Sequence, residues 1–154
     1  MVESASERLA ARGIVLPPPP KPLGTYSPVV VHGGFAWVSG QIVARQGKAV
    51  QPGLVDRDVD PAGAKELARL AALQALSALG AALGSVDRIA RVVRLGVFVA
   101  SAPGFTRQPE VANGASELLI DVLGEEGRAS RVAVGVAVLP LNAPVEVEMT
   151  VAVR

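Results

Sequence analysis

Few side chains in this sequence can do chemistry, and the most suggestive pair lies near its end. Arg131 opens a valine-rich run, Arg131-Val-Ala-Val-Gly-Val-Ala-Val-Leu-Pro140. A guanidinium at the start of such a run, beside an apolar pocket, is a planar fork for a substrate carboxylate. An ordinary solvated or salt-bridged arginine has the same local sequence, so both readings stand. Glu146 follows in Val145-Glu-Val-Glu148 and has the chemistry to orient or deprotonate a water. Glu146 and Glu148 also fit solvent-facing strand positions, Glu148 the better of the two. His32 is the one histidine, and beside Gly33-Gly34 it reads as a turn-flanking polar residue rather than a catalytic one. There is no cysteine, which excludes disulfides, thiolate catalysis and Cys-ligated zinc. No GxGxxG, Walker A or GxSxG pattern is present, so phosphate cradles and a nucleophile elbow are unsupported. We expect neither metal nor cofactor.

The elements that must position these residues follow from local pattern. Residues 4–12 read as a short helix with Ser4 as its cap, Glu7 as the capping-box partner and Gly13 as its end. Residues 17–20 are four consecutive prolines, a stiff polyproline stretch that reads as a spacer and less readily as an SH3-type ligand. We therefore divide the chain into an N-terminal helical arm and Pro-rich spacer, residues 1–20, and a main domain, residues 21–154. Leu9, Ile14, Val15 and Leu16 suggest that the arm packs against its own or a neighbouring subunit.

Residues 27–32 and 35–39 read as a hairpin across Gly33-Gly34, and Gly40 marks a bulge or a close backbone approach. Residues 45–60 read mostly as loop. Asp60-Pro61 opens a long helix, a cap residue followed by proline at the first helical position. Its stripe of Leu73, Leu76, Leu79 and Leu83 ends at Gly84. Residues 89–100 form a β-branched central strand. A second helix covers about 108–123 and closes at Gly124. Residues 131–139 and 145–153 form two long strands, read as a second hairpin. The order is β-β-α-β-α-β-β, which predicts an α+β layer: a mixed β-sheet with two helices packed on one face.

In the last two strands, Val132, Val134, Val136 and Val138 share one face and Arg131, Ala133, Gly135, Ala137 and Leu139 the other. Val145, Val147, Met149, Val151 and Val153 alternate with Glu146, Glu148, Thr150 and Ala152. One face is core. The other is neither fully apolar nor fully polar, and we expect it to meet another subunit.

Composition bounds the function. A chain of 154 residues, half of them apolar and 19% charged, is one domain able to bury roughly two-thirds of its unfolded surface. Fifteen basic residues balance fourteen acidic ones, so no global field steers it to nucleic acid or an anionic membrane. The N-terminus lacks an apolar signal core. The Ala/Leu-rich stretch 67–83 is interrupted by Arg69, Gln74 and Ser77 and reads as a buried helix rather than a membrane span. A cytoplasmic address fits the absence of cysteine.

Several segments, taken together, resemble the Rid/YjgF family (reactive intermediate deaminases, also called L-PSP endoribonuclease-like). The run from Arg131 to Pro140 and then Val145-Glu-Val-Glu148 is similar to the family's C-terminal signature. Gly24-Thr-Tyr-Ser27 resembles its Gly-x-Tyr-Ser segment, Ser39-Gly-Gln-Ile42 its Ser-Gly-Gln segment, and Val97-Phe-Val99 its central strand. The long arm and Ala100-Ser-Ala-Pro-Gly-Phe105 suggest a divergent branch. The resemblance implies a chorismate-mutase-like fold, a homotrimer and ligand clefts between subunits. It also implies hydrolytic deamination of 2-imino (enamine) acids to 2-keto acids and ammonia. Arg131 would clamp the carboxylate and Glu146 would stand near the attacking water. Tyr26, Ser39, Gly40 and Asn113 would complete the substrate-binding positions.

Departures are Ala133 where typical members carry cysteine, and Ser116 and Leu119-Ile120 where they carry aromatics. Alternative readings are an endoribonuclease that inhibits translation, and a non-catalytic trimeric module that binds small carboxylates. Expected partners are a small 2-imino or 2-keto carboxylate and further copies of the chain, with no membrane and no nucleic acid.

Overall fold

The β-branched segments pair into a five-stranded sheet in the computed structural model, which describes residues 3–154. In chain order the elements are α1 (Ala5–Ala11), β1 (Val29–His32), β2 (Phe35–Gln41), β3 (Ala44–Arg45), β4 (Lys48–Ala49), α2 (Pro61–Leu83), β5 (Ile89–Ala100), α3 (Gln108–Leu123), β6 (Ser130–Val136) and β7 (Val145–Val153). The sheet order is β1-β2-β7-β5-β6, and β3 and β4 form a separate two-stranded ribbon in the segment expected to be mostly loop. The two long helices pack against each other and against one face of the sheet. This is the expected α+β layer.

Local signals account for the helix ends. Ser4 Oγ accepts from the Glu7 amide at 3.2 Å while Glu7 Oε2 accepts from the Ser4 amide at 2.8 Å, the reciprocal capping box. Asp60 caps α2 by accepting from the Gly63 amide, and Gly84 ends it with φ +85, a left-handed position suited to glycine. At 23 residues α2 is long enough and apolar enough to cross a bilayer by length and composition. Its position explains that composition. Leu76 and Leu79 are fully buried between sheet and α3, and burying each contributes on the order of 1.5–3 kcal/mol. The α2–α3 crossing needs Gly114, where any β-carbon would run into the Lys65 carbonyl.

The C-terminal half corrects two sequence expectations. The last two strands are not a hairpin: β5 lies between them, antiparallel to β7 and parallel to β6. The connection after β6 bends away through Pro140–Asn142, where Leu141 and Asn142 both have positive φ. It returns the chain to the far side of β5. Strand β6 also ends at Val136 rather than at 139 and is the sheet edge.

The faces of β6 are the second correction. Arg131, Ala133 and Gly135 lie on the helix side, and the valines turn away from it; Val134 is 42% exposed. Small residues fit beneath α3: a β-carbon at Gly135 would stand 2.9 Å from the Gln108 side-chain amide nitrogen, which would have to shift. In β7 the reading holds: Val145, Val147, Met149 and Val151 are core, while Glu146 and Glu148 face away from the helices. That open face also carries Val30, Phe35 and Trp37, all well exposed, with the two rings 6.0 Å apart.

The arm packs on its own chain. Leu9 joins the main core, Ile14 and Leu16 lean on it, and Val15 points to solvent. Asp87 accepts from the Ser6 amide at 2.8 Å and from its hydroxyl at 2.6 Å. Those bonds hold the Asp87 carboxyl below the usual aspartate range.

Candidate functional site

The six candidate residues fall into two groups. Tyr26, Ser39, Gly40 and Glu146 line one groove of about 810 Å³, bounded by the polyproline stretch, the end of β2, the start of β7 and the Pro140 loop. Arg131 and Asn113 lie elsewhere, beside α3.

The groove is shaped by the bulge at Gly40. The β2–β7 register slips between Val38 and Gln41, as a glycine inside a strand run suggests. The backbone at Gly40 passes so close to Glu146 that any β-carbon there would collide with its carboxyl group. The segment carrying Tyr26 is fastened to β2: Ser39 Oγ donates to the Ser27 carbonyl at 2.7 Å, and the Ser39 amide donates to the Pro28 carbonyl at 2.9 Å. Tyr26 Oη accepts from the Leu23 amide at 3.2 Å, folding the ring over the Gly24 turn.

Glu146 is half-buried on the open face. Its pKa lies above the usual glutamate range, first because burial disfavours the charged form and then because Glu148 carries the same charge nearby. No Lys, Arg or His comes within ion-pair distance of it among the described residues. A partly desolvated carboxyl without a counter-ion is a good proton acceptor and donor.

Two groove residues escaped sequence reasoning. Gln41 is buried, and its amide donates to the Ser39 carbonyl at 2.9 Å. Gln74 donates to the Ile42 carbonyl at 3.0 Å. The available signals were the glutamine of Ser39-Gly-Gln and a polar interruption in an otherwise apolar helix.

Arg131 is held by neutral oxygens. Its Nη1 donates to Asn113 Oδ1 at 2.8 Å and to Ser116 Oγ at 3.0 Å, and Nη2 lies 3.5 Å from the Pro109 carbonyl. Asn113 and Ser116 are three apart on α3 and so share one face. Among the described residues, no carboxylate forms an ion pair with this guanidinium. The Asn-Ser brace fixes the plane of a cation while leaving its charge uncompensated. This suits binding of an external anion.

Within one chain the two groups do not meet. Arg131 pairs with Leu95 and Glu146 with Phe98 on the intervening β5. They are thus two strand spacings apart, about 10 Å, and offset by a further 10 Å or so along the strands. They also project from opposite faces. The sequence reading of Glu146 on the strand adjacent to Arg131 is corrected by the insertion of β5. His32 closes the β1–β2 turn opposite Phe35 and does not line the groove. Among the described residues, no group of three His, Asp or Glu side chains is placed to hold a metal ion.

A five-stranded mixed sheet with two helices on one face, an arginine braced on the edge strand and a carboxyl at a bulged groove define a class of α+β folds. Comparisons give the family. Residues 6–152 match the model of the family described as "YjgF/chorismate_mutase-like, putative endoribonuclease", and the chain belongs to that family.

The chain is similar to protein TCP17 of Trypanosoma cruzi, 45% identical over 152 residues that cover 96% of this chain and 95% of that one. It is similar to the crystal structure of Atu1372, a protein of unknown function from Agrobacterium tumefaciens, with 44% identity and a TM-score of 0.88. That match covers 97% of this chain and 92% of the other. A more distant likeness is to Escherichia coli TdcF with bound serine, at 25% identity and a TM-score of 0.55, covering 88% and 93% of the two chains.

Proposed function

We propose that the protein hydrolyses 2-imino acids to 2-keto acids and ammonia, at a cleft that two copies of the chain build together. The observation that carries this reading is Arg131, a guanidinium braced by Asn113 and Ser116 and without a carboxylate partner among the described residues. It offers a fork to a substrate carboxylate. The exposed apolar side chains Val30, Phe35, Trp37 and Val134 on the open sheet face support assembly through that face, in a homotrimer. Assembly brings the Arg131 of one copy to the groove of the next.

In the reaction, water adds to the electrophilic iminium carbon and gives up a proton to the Glu146 carboxylate. The proton then passes to the nitrogen of the carbinolamine. The C–N bond breaks, ammonia leaves, and loss of the hydroxyl proton forms the keto group. The raised pKa of Glu146 suits both transfers. Holding the carboxylate and one water in line supplies several kcal/mol, at best on the order of 7–11.

A second reading, a module that only binds small carboxylates, is favoured by the serine held by TdcF and uses the same arginine. The family description also keeps an endoribonuclease in view, although a net charge of +1 and 3% aromatic residues offer little for an RNA strand.

Turnover of freshly generated 2-iminopropionate by wild type and by Arg131→Ala tests the proposal. We expect turnover well above the spontaneous rate, and a loss of about a hundredfold or more in kcat/KM in the variant, the cost of removing one member of a charge-assisted pair. A folded wild type that binds pyruvate but turns over no imine supports the binding module. Salt-dependent RNA cleavage supports the nuclease.

A further inference from the structure

The polyproline stretch has no role in the catalytic scheme, yet it is not a free spacer. Pro17, Pro18 and Pro20 line the Glu146 groove, and Pro22 and Leu23 continue the same wall. The strap is pinned at several points. Ser77 Oγ on α2 donates to the Pro17 carbonyl, Tyr26 Oη accepts from the Leu23 amide, and Ser39 Oγ donates to the Ser27 carbonyl. Proline fixes φ, so this wall is formed before a ligand arrives and little ordering cost falls on binding.

Ile42 and Leu141 line the same groove. Among the lining residues Glu146 is the one carboxyl group and Lys21 the one cation; the rest of the wall is apolar or an uncharged amide, hydroxyl or backbone group. Leu23 is 79% and Leu141 43% exposed, so two apolar side chains of the groove lack cover among the described residues.

The share of the site that one chain supplies is already roomy and half-open, before a second copy closes it. A groove of about 810 Å³ is within the range of sites for ligands much larger than a three-carbon acid. At roughly 30 Å³ per water it holds many times the volume of 2-iminopropionate. A small substrate would leave most of the apolar wall against water. A bulky apolar side chain would cover it.

We infer that residues 17–28 form the specificity wall of this site and select 2-imino acids with large apolar side chains, branched aliphatic or aromatic, over small ones. This rests on the deaminase reading for its chemistry, with the carboxylate and imine at the Arg131 and Glu146 end and the side chain lying along the strap. The preference comes from the prolines, Leu23, Ile42 and Leu141, not from the catalytic groups.

The test is a series of imines generated from alanine, leucine and phenylalanine, assayed with the full-length protein. We expect kcat/KM at least tenfold higher for the leucine- or phenylalanine-derived imine than for the alanine-derived one. Leu23→Ser, at an exposed position where folding is not at stake, and Ile42→Ser should each lower the ratio of large- to small-substrate kcat/KM several-fold. Equal or reversed preference in the wild type overturns the inference, as does a uniform effect of Leu23→Ser on all three substrates. If no imine is turned over, the deaminase reading fails, and the same question is put to binding. Calorimetry with pyruvate, 4-methyl-2-oxopentanoate and phenylpyruvate should show affinity rising with side-chain size, and flat or falling affinity overturns the specificity wall itself.

Discussion

The two halves of the site are built on opposite principles. Arg131 stands on a strand and is braced by two side chains one helical turn apart on α3, so regular elements fix its direction. Glu146 stands on a strand too, but the space around it is made by irregular backbone: a bulge at Gly40, a turn at Gly24 and a proline strap. The guanidinium is therefore held by regular structure, while irregular backbone shapes the groove around Glu146. A fork of this kind serves any small carboxylate. On the proposed reading, the irregular half decides what happens to it and which side chain is admitted.

The largest effect should come from joining the halves across copies. Arg131→Ala and Glu146→Gln should each be nearly inactive alone, yet co-refolding the two should restore a substantial fraction of wild-type turnover. One class of cleft then carries an intact Arg131 from one chain and an intact Glu146 from another. Failure to complement, with both variants folded and assembled as the wild type is, would mean that the halves do not share a cleft.

Gly40→Ala should come next. Its β-carbon displaces the Glu146 carboxyl group, the flexible end of a side chain, so the fold should survive. We expect kcat to fall by roughly tenfold to a hundredfold, the scale of a misplaced general base, with KM little changed. A fall in KM-dependent affinity instead would put Gly40 in the binding half.

Ser116→Ala removes one hydrogen bond from the guanidinium, worth about 1 kcal/mol. It should weaken keto-acid binding about fivefold without altering the pH dependence of turnover. A shifted pH profile would show that the two halves are electrostatically linked.

The smallest effect concerns stability. Glu146 has a raised pKa in the folded state, so between its unfolded and folded values the native state binds more protons, and stability falls as pH rises through that window. Glu146→Gln should therefore raise Tm slightly at pH 7 and have less effect at pH 4. The opposite sign would indicate that the carboxylate has a stabilising partner in the assembled protein.

Much of the framework was legible in the residues. The Ser4–Glu7 box, the Asp60-Pro61 start and the Gly84 end of α2 are contacts within a few residues, and short-range rules suffice for them. The first hairpin and the glycine bulge were legible for the same reason. Arg131 and Glu146 were legible as chemical types, because a lone cation in one valine-rich strand and two carboxyl groups, Glu146 and Glu148, in another are conspicuous in so apolar a chain. Their brace was not, since Asn113 and Ser116 are 18 and 15 residues from Arg131 and nothing local points one at the other.

Sequence by itself determined the order of the main elements though not the β3–β4 ribbon, the helix bounds, the expectation of a second partly apolar sheet face, and the family resemblance that the match over residues 6–152 bears out. Only the tertiary structure decided that β5 separates β6 from β7, that the β6 valines face away from the helices, and that Arg131 and Glu146 look out from opposite sides of the sheet. It also turned a row of prolines from a spacer into a wall. The physical reason is range. Caps, turns and periodicity are settled by neighbours in the chain. Strand order and facing are settled by which distant surfaces bury the most apolar area with every backbone group paired, and that choice is made by the whole molecule at once.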